Sequence, residues 1–86
     1  LSHRAGRRFW REFAELSPEI QKIARENYEL LKAAPQHPSL HFKRVGRFWS
    51  VRVGSSHRAL GIDSPAGIVW VWIGPHEEYV RLIKRA

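Results

Sequence analysis

Two prolines three residues apart, Pro35 and Pro38, divide this chain into halves that cannot share one kind of structure. Proline lacks the N–H of a helix hydrogen bond and disfavours helical geometry at the residue before it, so no helix runs through this point. On the N-terminal side apolar residues recur at helical spacing. On the C-terminal side they alternate. Any fold must therefore join a helical unit to a β unit.

The helical half has two segments. Between Arg7 and Leu16, the apolar residues Phe9, Trp10, Phe13, Ala14 and Leu16 follow helical spacing. Ser17-Pro18-Glu19 reads as the start of a second helix. Ser17 caps it, Pro18 suits its first position, and Glu19 favours its positive end. Ile20, Ile23, Ala24, Asn27, Tyr28, Leu30, Leu31 and Ala34 then share a broad face, with Gln21, Lys22, Arg25, Glu26, Glu29 and Lys32 opposite.

The β half begins with Leu40 and Phe42 alternating with His41 and Lys43. After a Gly46-Arg47 turn, Trp49, Val51 and Val53 alternate with Phe48, Ser50 and Arg52. Gly54-Ser55-Ser56 is the next turn, and a third strand spans His57 to Ile62. Asp63 to Gly67 form a longer turn. Ile68 to Ile73 are apolar throughout, as in a strand covered on both faces. Trp70 and Trp72, two apart, are expected on one face as core residues. Gly74-Pro75 ends the strand, and His76 to Lys84 form a short closing helix with Tyr79, Val80 and Ile83 inward. The first six residues are polar and leave a further strand undecided. Short connections imply an antiparallel meander, whose apolar face the helices can cover. The expected fold is α+β: an N-terminal two-helix hairpin packed on a four-stranded antiparallel sheet, with a short C-terminal helix.

Composition bounds the function. A chain of 86 residues holds one modest core, so 1–86 is read as a single domain. The absence of cysteine excludes a disulfide framework and a thiolate zinc site. Lys and Arg total 15 against 8 Asp and Glu, a formal +7. That excess steers anions toward the domain: nucleic acid, an acidic protein or an anionic membrane surface. No apolar run approaches the roughly 20 residues that span a bilayer, and no signal peptide is visible. A soluble, cytoplasmic protein with no membrane partner is expected.

Two features carry possible chemistry. Arg52 and Arg58 lie in neighbouring strands across a tight turn, and Lys43 lies in the strand before them. Paired as a meander, these cations converge on one sheet face, where arginine forks suit phosphate oxygens. The alternative is a solvated face whose charges serve solubility. His76 and Tyr79 lie three apart at a helix start, on one side of it. Histidine moves protons near neutrality, and tyrosine stacks on a base or donates a hydrogen bond. The alternative is a helix-end histidine and a core tyrosine. His37 and His41 are four apart, but Pro38 prevents a continuous helix between them, so no metal site is expected. There is no glycine-rich phosphate loop, no nucleophile elbow and no Cys–His pair, so no cofactor is expected.

The runs Pro35 to Lys43, Trp49-Ser50-Val51-Arg52-Val53-Gly54 and His57-Arg58-Ala59 resemble the RelE/ParE toxin superfamily of type II toxin–antitoxin systems. So do Trp70-Val71-Trp72-Ile73-Gly74-Pro75-His76-Glu77-Glu78-Tyr79 and the helix opening Leu16 to Gln21. The resemblance covers nearly the whole chain and rests on the order and spacing of these runs. It implies a helical hairpin on an antiparallel sheet, and a cognate antitoxin that wraps the toxin. It also implies metal-independent cleavage of mRNA on the ribosome, in which the 2′-hydroxyl attacks the adjacent phosphate and the 5′-oxygen leaves. By the same resemblance Arg58 stabilises transition-state charge, Arg52 binds phosphate, and His76 acts as acid or base. Tyr79 orients the nucleotide or stacks on it, and Lys43 lies near lysines that some members use in proton transfer; Lys43, Arg52 and His41 are expected to contact RNA. Some family nucleases carry a glutamate base near the start of the sheet; here Leu40-His41-Phe42-Lys43-Arg44 holds no acid, so either His41 or Lys43 replaces it, or the reaction differs. Two other readings stand beside this one: a ParE-like binder of DNA gyrase without nuclease chemistry, and a non-toxic nucleic-acid-binding domain.

Overall fold

A computed structural model describes residues 2–85. The order of elements is β1 (Ser2–Ala5), α1 (Arg7–Ala14), α2 (Pro18–Ala33), a 3-10 turn (Pro38–Leu40), β2 (Lys43–Val45), β3 (Phe48–Val53), β4 (His57–Ser64), β5 (Gly67–Pro75) and α3 (His76–Arg85).

The helix ends are closed by the residues that the sequence offers for it. Ser17 Oγ accepts from the Ile20 N–H at 3.2 Å. The last carbonyls of a helix lack partners within it. Gln21 Nε2 of α2 donates to the Phe13 carbonyl in the last turn of α1 at 3.0 Å and to the Leu16 carbonyl in the connecting turn at 3.1 Å. One side chain thus stitches the hairpin. Past Pro35 the chain makes a 3-10 turn whose Leu40 is fully buried. His41 then takes a left-handed conformation, φ 44°. That geometry cannot continue into a strand, so β2 begins at Lys43 and not at Leu40 as the alternation suggested.

The sheet has the order β1-β5-β4-β3-β2. Strands β2 to β5 form the expected antiparallel meander. β1 adds a fifth strand, parallel to β5, from Ser2↔Gly67 to Ala5↔Trp70. Gly67 permits this approach: a Cβ there would lie 2.0 Å from the Ser2 carbonyl oxygen, and its φ of +152° disfavours other residues.

The pairing of β4 with β5 slips by one residue. Leu60 faces Trp72, whereas Gly61 faces Trp70, leaving Val71 as an extra residue in β5. A side chain reverses face at each strand residue, so an inserted residue sends Trp70 and Trp72 to opposite faces. This corrects the expectation that they share one face. Trp70 joins Phe13, Leu31, Val51, Val53 and Ile73 beneath the hairpin. Trp72 joins Leu60 and Tyr79 in a second cluster beneath α3, with Phe48, Val80, Leu82 and Ile83 against it. β5 is apolar throughout because both its faces are covered.

Two predictions follow from this packing. A Cβ on Gly61 would lie 2.6 Å from Ile68 Cγ2 and 3.0 Å from the Trp70 ring. Gly61→Ala should therefore lower the unfolding free energy in urea by about 1–3 kcal/mol, the usual cost of overpacking; an unchanged midpoint would contradict the packing at the bulge. The second concerns pH. His3 on β1 stacks on Trp70 with centroids 6.1 Å apart, and its Nδ1 accepts from Trp70 Nε1 at 3.2 Å. Burial, then the nearby Lys32 charge, hold its pKa below the ordinary value. The unfolded chain then takes up a proton that the folded chain refuses. Stability from this site is complete above about pH 6.5 and declines as pH falls toward the folded pKa. The urea midpoint should drop between pH 7.5 and 5.5, and His3→Gln should flatten that slope; an identical slope in the variant would remove His3 as its source.

Candidate phosphate-binding face

The face of the sheet beneath α3 carries the cations that the sequence singles out. Register places them in two rows. Lys43, Ser50, Leu60 and Trp72 lie across β2 to β5 in one. Arg52, Arg58 and Gly74 lie across β3 to β5 in the next. The two arginines are thus direct cross-strand partners. Like charges placed opposite destabilise a strand pair, and neither arginine is in an ion pair among the described residues.

Each arginine is held by neutral groups. Arg52 Nε donates to the Gly54 carbonyl at 2.9 Å, and the Gly54 N–H donates to Asn27 Oδ1 at 3.0 Å. Helix α2 therefore fixes the turn that fixes Arg52. Gly54 sits at φ +62° with Ile23 3.1 Å from where a Cβ would be, which ties that position to glycine. Arg58 lies over the Tyr79 ring, its guanidinium carbon 5.1 Å from the centroid, and Nη1 donates to Ser50 Oγ at 3.4 Å. Ser50 Oγ donates in turn to Tyr79 Oη at 3.3 Å.

The arginines open onto a hollow of about 650 Å³, walled also by Ser56, His57, His76 and Glu77. His76 begins α3 and is exposed; its N–H donates to the Ser56 carbonyl at 2.9 Å, which joins the helix start to the β3–β4 turn. Its ring centroid lies 5.6 Å from that of Tyr79. The structure therefore brings together Arg52, Arg58 and His76, with Tyr79 directly beneath.

Other expected site residues are placed differently. Tyr79 is only 5% exposed, and its hydroxyl is engaged by Ser50. Tyr79 is thus buried, as the core-tyrosine alternative held, with the Arg58 guanidinium over its ring, which leaves little surface for the stacking role. Lys43 shares the sheet face but opens, together with His41, onto a separate depression beside Pro35 and Pro38. His41 is exposed and lies outside the arginine hollow. Sequence reasoning missed Ser50, His57 and Glu77. Ser50 alternates in phase with Arg52, which is the signal that could have found it. Glu77 supplies a carboxylate to the wall of the hollow.

The opposite side of β2 shows how a basic residue is removed from such a site. Arg44 Nη2 pairs with Asp63 Oδ2 at 2.8 Å, and Trp49 Nε1 donates to Asp63 Oδ1 at 2.9 Å. Those two bonds hold the Asp63 carboxyl below the usual carboxylate range. Arg44 is neutralised and Arg58 is not, so the α3 face keeps the anion-binding potential.

Comparison with known proteins agrees with this architecture. Similar solved structures include the RelB–RelE antitoxin–toxin complex from Methanococcus jannaschii, at 12% identity and TM-score 0.69, over 92% of this chain and 96% of that one. The YoeB/ParE toxin from Agrobacterium tumefaciens matches at 10% identity and TM-score 0.66, over 88% and 99%. The isolated E. coli RelE toxin matches at 13% identity and TM-score 0.61, over 96% and 95%. No curated protein matches. The model of the ParE-like toxin domain matches residues 18–81, from the start of α2 into α3. The chain therefore belongs to the ParE-like toxin domain family, with a RelE-like fold.

Proposed function

We propose that this chain is the toxin of a toxin–antitoxin pair and cuts mRNA on the ribosome by attack of a 2′-hydroxyl on the adjacent phosphate. The observation that carries this reading is the cross-strand pair Arg52–Arg58, without an acid partner among the described residues and bounded by His76. A phosphodiester bridging the two guanidiniums would relieve their mutual repulsion. The reaction gathers a second negative charge on phosphorus, and a pre-placed arginine stabilises that charge more than it stabilises the ground state. Arg58 takes this role and Arg52 holds the phosphate. His76, exposed at the rim, exchanges the proton of the attacking 2′-oxygen or the leaving 5′-oxygen. Lys43, in the adjacent row, extends the path of the RNA backbone.

Arg58→Ala tests the assignment. The cleavage rate of a ribosome-bound message should fall about 100-fold, as when one transition-state donor is lost. The variant should stay folded within about 1 kcal/mol. Arg58→Lys should not restore the rate, since a single ammonium lacks the fork. Full activity in Arg58→Ala would remove the reading.

The partner reading is supported on the other face. Two of the similar solved structures are RelB–RelE and RelBE antitoxin–toxin complexes. In this chain an apolar groove of about 220 Å³ runs between the hairpin and the sheet, lined by Phe9, Trp10, Tyr28, Leu31 and Trp70 and bordered by Arg4 and Arg25. Trp10 is 55% exposed there. An acidic antitoxin segment with apolar anchors fits this lining. Trp10→Ala should weaken the complex by about 2 kcal/mol, the scale of an interface anchor, as measured by calorimetric titration of the antitoxin. Unchanged affinity would place the antitoxin elsewhere.

A further inference from the structure

We propose that Ser50 is a positioning residue of the cleavage site, which sets the orientation of Arg58 through a hydroxyl chain ending at Tyr79. The inference rests on reading the arginine hollow as the site of RNA cleavage, and it names a residue to which neither the family match nor the similar structures assign a role.

Ser50 lies on β3 with 0% exposure, the only polar residue that is buried among those described. Its cross-strand neighbour on β4 is the core residue Leu60, itself 2% exposed. An apolar side chain would fill such a position without the desolvation cost of a hydroxyl. That hydroxyl has two partners among the described residues, and both belong to the site: it accepts from Arg58 and donates to Tyr79. The chain has one direction, guanidinium to serine to tyrosine, so the positive charge polarises both hydroxyls in the same sense.

The geometry explains why the ring alone does not suffice. Contact with the Tyr79 ring, 5.1 Å from the guanidinium carbon to the centroid, fixes a distance but not the direction of the N–H donors. A bond from Nη1 to a fixed oxygen sets that direction. The remaining N–H donors of Arg58 then point consistently toward the hollow. In the transition state, alignment of those donors matters more than the presence of charge, so loss of Ser50 should slow cleavage more than it weakens RNA binding.

The test uses the whole chain with Ser50→Ala and Tyr79→Phe, alone and combined. Single-turnover cleavage of a ribosome-bound message is compared with binding of a 2′-deoxy-substituted RNA that cannot be cut. Ser50→Ala should lower the rate about tenfold and leave RNA affinity within about twofold, with little change in thermal midpoint. Tyr79→Phe keeps the ring and removes the hydroxyl; added to Ser50→Ala it should lower the rate no further. A wild-type rate in Ser50→Ala, a parallel loss of rate, affinity and thermal midpoint, or additive losses in the double variant would each overturn the proposal. The Arg58 Nε–H resonance gives a readout independent of activity, and should move toward the free-arginine position in Ser50→Ala. An unmoved resonance overturns the positioning role even where the wild-type chain cuts RNA. A wild-type chain that cuts nothing, with the resonance shifted as expected, leaves Arg58 positioned by Ser50 and overturns the cleavage reading, and with it the catalytic purpose of the positioning.

Discussion

One extra residue in β5 decides how both faces of the sheet are filled. Without the slip at Val71, Trp70 and Trp72 would crowd one side, and the core on the other side would lack its tryptophan. With it, Trp70 anchors the main core under α1 and α2, and Trp72 founds the smaller core under α3. The smaller core matters for chemistry because Tyr79 belongs to it. Its burial against Leu60 and Trp72 puts a rigid ring directly under Arg58. A bulge near a functional site commonly re-aims side chains in this way.

The arginine pair is an electrostatic cost that the fold does not cancel. Arg44, on the adjacent strand β2, shows that the chain is able to cancel such a cost, since Asp63 and Trp49 hold it in a neutralised cluster. Arg52 and Arg58 instead receive only neutral partners: a backbone carbonyl, a serine hydroxyl and a ring. Neutral partners fix the geometry of a guanidinium and leave its charge available. That combination suits a group whose task is to meet a phosphate.

Much of this was legible in the sequence where local rules dominate. Ser17-Pro18 marked the start of α2, and alternation along β3 placed Arg52 opposite Val51 and Val53. Short turns gave the antiparallel meander, and the order of motifs carried the resemblance that the family match bears out. What was not legible depends on contacts distant in sequence. β1 is polar, and its pairing depends on Gly67 admitting its backbone. The bulge is invisible to an alternation count, because β5 is apolar at every position and shows no phase to break. The inward turn of Tyr79 was legible from the helix pattern, but its contacts with Leu60 and Trp72, in other strands, were not. Ser50 passed unnoticed because a serine in a strand reads as a surface residue until its neighbours are known.

The central claim is that the arginine face cleaves RNA, and the most direct measurement is inducible expression in a bacterium with primer extension on translated messages and plasmid supercoiling read in parallel. The account predicts growth arrest with discrete mRNA breaks that disappear when translation is blocked, and unchanged supercoiling. Growth arrest with intact messages and altered supercoiling would contradict it and would point to a gyrase-binding toxin.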